Sequence, residues 1–159
     1  MRVGIGYDIH PFENGRRMVL GGLEFPGERG LAGHSDADSA LHAIADALLG
    51  AAALGDIGDL FPPNDPRWKD ADSGEMLRTV VQHIAADFRI SNVDLTIVAE
   101  APRIASRRTE MRERIANLLN IPVERVSVKA TTNERLGALG RGEGLAAIAA
   151  VLLEELSLP

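Results

Sequence analysis

The sequence predicts an α/β chain of the α+β kind, with a single mixed β-sheet packed with helices on one face. Three observations lead there. Residues 2–10 alternate with a period of two, the mark of a half-buried strand. Several later stretches carry apolar residues at helical spacing. Strands and helices then follow in the order β, ββ, α, α, β, α, β, α, without the regular βαβ rhythm of a dinucleotide-binding fold.

In residues 2–10, Val3, Ile5, Tyr7 and Ile9 face one way, and Gly4, Gly6, Asp8 and His10 the other. Short strands over 18–20 and 23–25 flank Gly21 and Gly22. A helix over 35–49 sets Leu41, Ile44, Ala45 and Leu48 on one stripe, capped by Ser35 or Asp36 and ended by Gly50 or Gly55. Residues 56–71 read as an extended functional loop punctuated by Pro62, Pro63 and Pro66. Asp72-Ser73-Gly74-Glu75 caps a helix carrying Leu77, Val80, Val81 and Ile84. A strand over 92–99 leads to a helix capped by Ser106, with Met111, Ile115, Leu118 and Leu119 inward. A strand over 125–131 follows, and the Ala- and Leu-rich segment 144–156 reads as a last helix. With no repeat and no linker, residues 1–159 are expected to form one domain.

Seventeen Lys and Arg against 23 Asp and Glu give a net charge of −6, which argues against a nucleic-acid partner. The absence of cysteine excludes thiolate nucleophiles, Cys-ligated zinc and disulfides. No signal or transit pattern opens the chain, and the apolar run 145–153 is too short to span a bilayer. The expected location is the cytoplasm, with no membrane partner.

Asp8-Ile9-His10 puts a carboxylate and an imidazole on one strand face, with Gly4 and Gly6 leaving room there for a ligand. Such a pair suits Zn²⁺, or else forms a hydrogen-bonded Asp–His pair at a strand end. Gly33-His34-Ser35-Asp36 opens the first long helix, and His42 follows with Asp38 and Asp46 at i−4 and i+4. That line reads as a metal-bound imidazole with a flanking carboxylate, or as a solvated helix face. Two His and one Asp leave a tetrahedral metal an open position, as catalytic sites do. His83 lies in an ordinary amphipathic helix and reads as structural.

Lys129-Ala-Thr-Thr-Asn-Glu134 leaves a strand with groups suited to phosphate, and Glu134 suits a hard cation, or else the segment is a polar turn after an interior strand. Gly140-Arg-Gly-Glu-Gly144 lets backbone approach a ligand beside the planar fork of Arg141. Neither is a P-loop.

Together, Asp8-x-His10, Gly33-His-Ser-Asp36, Leu54-Gly-Asp-Ile-Gly58, Leu60-Phe-Pro62, Asn92-Val-Asp94, Ala101-Pro102, Lys129-Ala-Thr-Thr132 and Gly140-Arg-Gly-Glu-Gly144 resemble the 2-C-methyl-D-erythritol 2,4-cyclodiphosphate synthases, in order and from end to end. The resemblance implies a homotrimer with active sites between subunits, acting on a small-molecule cytidine diphosphate substrate. It implies Zn²⁺ at Asp8, His10 and His42, and Mg²⁺ or Mn²⁺ near Glu134. It gives His34 and Thr132 the catalytic, transition-state-stabilising role. Substrate contacts would come from Asp8, Ile9, His10, His34 and Ser35, and from Asp56, Ile57, Gly58, Phe61 and Asp65. Others would come from Ala99, Glu100, Ala101, Pro102, Arg103, Ile104 and Ala105, which cradle cytosine, and from Thr131, Thr132, Asn133, Glu134 and Arg141. Pro63, Asn133 and Ala138 depart from the family pattern. The same Asp/His/His set would also serve a metal-dependent hydrolase.

Overall fold

Residues Arg2–Glu13 form β1 in the computed structural model, which describes residues 1–156. The alternation holds: Gly4 and Gly6 are buried, whereas Val3, Ile5 and Tyr7 face out. The two-residue strands β2 (Val19–Leu20) and β3 (Leu23–Glu24) pair across Gly21 and Gly22. Their φ values of 61° and 74° are the left-handed pair that a tight hairpin turn requires. Then come β4 (Gly30–Leu31), α1 (Ser39–Ala52), α2 (Ile57–Leu60), α3 (Ser73–Ile84) and β5 (Phe88–Val98). The chain continues through α4 (Arg108–Leu119), β6 (Val126–Thr131), α5 (Gly137–Gly140) and β7 (Gly144–Glu155).

The main sheet runs β4-β1-β7-β5-β6 and is mixed, because β5 and β6 are parallel and the other pairs antiparallel. The expected single sheet is therefore corrected: β2 and β3 form a separate two-stranded ribbon, too short to join the main ladder. The helix expected over 144–156 is also corrected, since this segment is β7, in the middle of the sheet. Ala147, Ala149, Val151 and Leu153 are buried, while Ile148 points to the opposite face. Hydrogen bonding to β1 and β5 on both sides outweighs the helix preference of Ala and Leu.

The first long helix starts four residues later than expected. Its N-cap is Asp38, not Ser35 or Asp36, and its C-cap is Ala53 at φ 61°, not Gly50 or Gly55. Asp38 is 0% exposed and accepts from Leu41 N at 3.1 Å, Gly21 N at 2.8 Å and Gly22 N at 2.6 Å. One carboxylate thus starts α1 and ties down the hairpin. Asp72 caps α3 as expected, accepting from Gly74 N at 2.6 Å. Ser106 does not cap α4; it lies in a 3₁₀ turn, Ala105–Arg107, that runs straight into the helix.

Gly4 and Gly6 make room for a helix and not, as expected, for a ligand. A Cβ on Gly6 would stand 1.9 Å from Ala43 O, and one on Gly4 1.9 Å from Ala47 O. Only hydrogen side chains allow α1 to lie backbone-to-backbone on β1. The core joins α1, α3 and α4 to the inward residues of β5, β6 and β7, among them Leu95, Val128 and Leu153.

Candidate metal centre

The close seating of α1 on β1 brings His42 over Asp8 and His10. One ligand atom from each of Asp8, His10 and His42 lies within 4.8 Å of the others, the sole such group of three among the described residues. His10 Nε2 stands 2.9 Å from Asp8 Oδ2, and His42 Nδ1 stands 3.5 Å from it. His10 Nδ1–H donates to Ala32 O at 2.7 Å, which leaves its Nε2 bare in the neutral ring.

The donor set fits a divalent transition metal. Asp8 Oδ2 and His10 Nε2 stand 2.9 Å apart, yet both are buried polar atoms without a hydrogen-bond partner. Buried polar atoms are normally satisfied, so a shared third body is the natural partner. Two imidazole nitrogens and one carboxylate oxygen are the ligands Zn²⁺ prefers. Burial pushes the Asp8 carboxyl up, but the His10 and His42 rings outweigh it and hold the value at about 2. Burial pushes the His10 imidazole down, and the Asp8 carboxylate more than reverses this, leaving it above its ordinary 6.5.

Asp38 and Asp46, expected to flank His42, bond elsewhere. Asp38 caps the helix, and Asp46 Oδ1 accepts from Ile57 N at 2.8 Å, anchoring the start of α2. His42 Nε2 instead meets two hydroxyls, Ser35 Oγ at 3.2 Å and Ser73 Oγ at 2.9 Å. Ser73 carries no signal of this in the sequence, where it reads only as part of a helix cap.

Of the other candidates in the first half of the chain, Ser35 touches His42, and Ile9, His34, Asp56, Ile57, Gly58, Phe61 and Asp65 are placed by other contacts. Ile9 points to the outer face of the sheet and is 48% exposed. His34 is exposed, with Nε2 3.4 Å from Asp65 O, and Ser35 is buried. The backbone around His34 is gripped by Arg16, whose Nη1 donates to Gly33 O at 3.0 Å and Nη2 to Ser35 O at 2.5 Å. No sequence motif points to Arg16. Residues 56–71, expected to be one extended loop, contain α2 and a 3₁₀ turn, Pro66–Trp68. Asp56 caps α2 in a reciprocal box with Asp59. Phe61 is buried edge-to-face on Trp68, with ring centroids 4.8 Å apart, so it anchors this loop to the core.

The remaining candidates, Arg141 apart, form a second group at the C-terminal ends of β5 and β6. Ala99 N donates to Thr131 O at 3.0 Å, and Glu100 Oε1 accepts from Asn133 N at 3.1 Å. Thr132 Oγ1 donates to Glu134 Oε1 at 2.9 Å. Pro102 and Ile104 are buried, whereas Ala101, Arg103 and Ala105 are exposed, with Ala101 and Arg103 bordering an open cleft. Arg141 pairs with Glu143 at 2.6 Å. In the sheet order β7 separates β1 from β5, so the two groups sit at one end of the sheet but two strands apart. Among the described residues no side-chain hydrogen bond or ion pair joins them.

The sequence model of the YgbB family matches residues 1–154. The chain belongs to the YgbB family. A protein of Moorella thermoacetica named 2-C-methyl-D-erythritol 2,4-cyclodiphosphate synthase is 60% identical over 154 residues, covering 96% of this chain and 94% of that one. One of Salinibacter ruber with the same name is 54% identical over 97% of this chain and 99% of its own. Among solved structures, the bifunctional IspDF of Campylobacter jejuni superimposes with a TM-score of 0.94 at 38% identity. This chain is matched over 98% of its length and spans 42% of that one. The CDP complex of Plasmodium falciparum IspF gives a TM-score of 0.85 at 34% identity, over 98% of this chain and 97% of that chain. The family read from the motifs, and its mixed α/β class, agree with these relatives. Among the described residues, no helix is long and apolar enough to cross a membrane.

Proposed function

We infer that this member of the YgbB family is a 2-C-methyl-D-erythritol 2,4-cyclodiphosphate synthase of the non-mevalonate isoprenoid precursor pathway. It converts 4-diphosphocytidyl-2-C-methyl-D-erythritol 2-phosphate to the 2,4-cyclodiphosphate with release of CMP. The observation that carries this reading is the convergence of Asp8, His10 and His42 in a chain whose relatives bear that enzyme's name. An oxygen of the 2-phosphate forms a bond to the β-phosphorus, and the bond from that phosphorus to the CMP oxygen breaks. No protein nucleophile is needed, and positioning together with charge neutralisation supplies the rate.

Asp8, His10 and His42 would hold the zinc ion, which when bound acts as a Lewis acid toward phosphate oxygens. Glu134, whose carboxylate accepts from the Thr132 hydroxyl, would share Mg²⁺ or Mn²⁺ with the substrate phosphates, as Mg²⁺ sites commonly do. His34 and Thr132 orient and stabilise the reacting phosphates, and Ser35 lies beside the methylerythritol portion. Asp56, Ile57, Gly58, Phe61 and Asp65 serve the ribose side. Ala99 to Ala105 cradle the cytosine, and Thr131, Asn133 and Arg141 assist at the phosphates.

Residues 1–159 act as one domain, three copies of which form a homotrimer in the cytoplasm. Two observations support this assembly. The outer face of the sheet exposes Val3 at 71%, Ile5 at 73%, Tyr7 at 54% and Ile148 at 41%, an apolar patch of the kind that marks an interface. The two groups of candidate residues stand apart within one chain, as expected if a neighbouring copy completes each site.

The test is incubation of purified, zinc-loaded protein with the cytidine substrate, followed by ³¹P NMR. Cyclic diphosphate with stoichiometric CMP is the expected result; an open-chain phosphate instead means hydrolysis and refutes the reading.

A further inference from the structure

Ser73 Oγ, 2.9 Å from His42 Nε2, belongs to a residue only 1% exposed, the first of α3, so it reaches the metal centre from a second helix. Its single proton is already committed, because Ser73 Oγ donates to Asp36 Oδ1. Asp36 receives two more donors, Ser73 N on Oδ2 at 3.1 Å and Asp38 N on Oδ1 at 3.2 Å. Its own N–H is tied to Ala71 O at 3.0 Å. A carboxylate offers only acceptors, so the hydroxyl cannot turn its proton elsewhere without losing this bond. With that proton given to Asp36, Ser73 Oγ has only lone pairs for His42. A bare Nε2 would set lone pair against lone pair at this 2.9 Å contact, and a donation from the more distant Ser35 Oγ at 3.2 Å would not relieve it, so the hydrogen here comes from the ring. A neutral imidazole carries one N–H, and placing it at Nε2 leaves Nδ1 bare, facing Asp8 Oδ2 at 3.5 Å.

We propose that Asp36 and Ser73 form a positioning relay that fixes the tautomer of His42, with Nε2–H held by Ser73 and Nδ1 left free for a divalent cation. The inference deepens the metal reading above and rests on it. Asp36 acts through Ser73 and touches neither metal nor substrate. The relay also joins the segment before α1 to the cap of α3, so the ring direction is set from two helices at once. His10 is set by a different device, its Nδ1–H held by Ala32 O, so the two imidazoles present opposite nitrogens to one centre. Sequence spacing alone does not distinguish those nitrogens. Partners of this kind are what make a histidine a well-oriented ligand.

Two measurements test the relay. Long-range ¹H–¹⁵N correlation on the metal-free protein, at a pH where imidazoles are neutral, reads the tautomer without any mutation. His42 is expected as the Nε2–H form, and a majority of the Nδ1–H form overturns the proposal. Zinc affinity by chelator competition is then compared for the unmodified chain, Ser73→Ala, Asp36→Asn and the double variant. Each single change is expected to weaken zinc binding by about 10–100-fold. The double variant should weaken it by about as much as either single change, because the two residues act as one unit. Folded variants that keep the original affinity overturn the relay. If Asp36→Asn fails to fold, the tautomer measurement on the unmodified chain still separates the two outcomes. An unmodified chain that binds no zinc refutes the metal reading itself, whereas bound zinc with the opposite tautomer refutes only the relay.

Discussion

Replacing Gly6 by Ala tests whether the metal centre depends on how closely α1 lies on β1. The new Cβ would sit 1.9 Å from Ala43 O and 2.8 Å from Ala47 N, both backbone atoms of α1. Neither neighbour is a flexible side chain that can rotate away. To reopen the contact from 1.9 Å to the 3.0 Å floor of real Cβ contacts, α1 must retreat by about 1.1 Å. Ala43 adjoins His42, so the imidazole moves with it. Metal sites tolerate errors of only about 0.2 Å in ligand distance, so this shift exceeds the tolerance several-fold. The expected loss of zinc affinity is at least about tenfold, with about 1–3 kcal/mol of overpacking strain in the fold. Chelator competition reports the first and urea denaturation the second. Gly50→Ala is the control: it lies on the same helix, and a Cβ there meets nothing within 4 Å. It should leave zinc binding alone and raise stability by about 0.5–1 kcal/mol. A Gly6→Ala protein with native zinc affinity and native stability would refute the claim that these glycines set the helix height.

Asp38→Ala strips two buried backbone N–H groups and one half-buried one of their acceptor and should cost about 3 kcal/mol or more, read from urea unfolding. Zinc affinity should fall as pH drops through the His10 value, which lies above 6.5, because a proton then competes for the ring; isothermal titration across that range checks it. In the metal-free protein the sign reverses. The stability given by protonated His10 is complete below 6.5 and is lost as pH rises through its higher folded value, so the denaturation midpoint should fall there. Ile5→Glu puts a carboxylate on the exposed face of β1 and should convert the proposed trimer to monomers in sedimentation while leaving far-UV dichroism unchanged. Glu134→Ala should lower CMP release in a way that excess Mg²⁺ does not restore.

The candidate metal ligands were legible because they follow simple periodicities. Asp8 and His10 are two apart on a strand, and His42 lies on an amphipathic helix whose stripe is written in Leu41, Ile44 and Leu48. The cap of α3 was equally plain in Asp72. What stayed hidden was set by contacts distant in sequence. The segment Gly144–Glu155 contains four alanines and three leucines and looks helical to any local reading. Its strand character shows only in the inward set Ala147, Ala149, Val151 and Leu153, whose period of two is masked by apolar residues at the alternate positions. Small side chains are what this strand needs where α1 crosses it, and composition alone does not report that need. Ser73 and Arg16 went unseen for a related reason. Each acts on a backbone or ring that only the folded chain brings near, 31 residues away in the case of Ser73 and His42.

The central place of β7 sets an order of events for the folding chain. β1, which carries Asp8 and His10, has only the two-residue β4 as its other neighbour in the sheet, so its long ladder waits on residues 144–155. Until that last strand slides between β1 and β5, the two halves of the sheet share no hydrogen bonds, and about 130 residues of chain must be looped out to join them. A nascent polypeptide that has emerged only as far as α5 therefore carries Asp8 and His10 on a strand whose sole partner in the sheet is the two-residue β4.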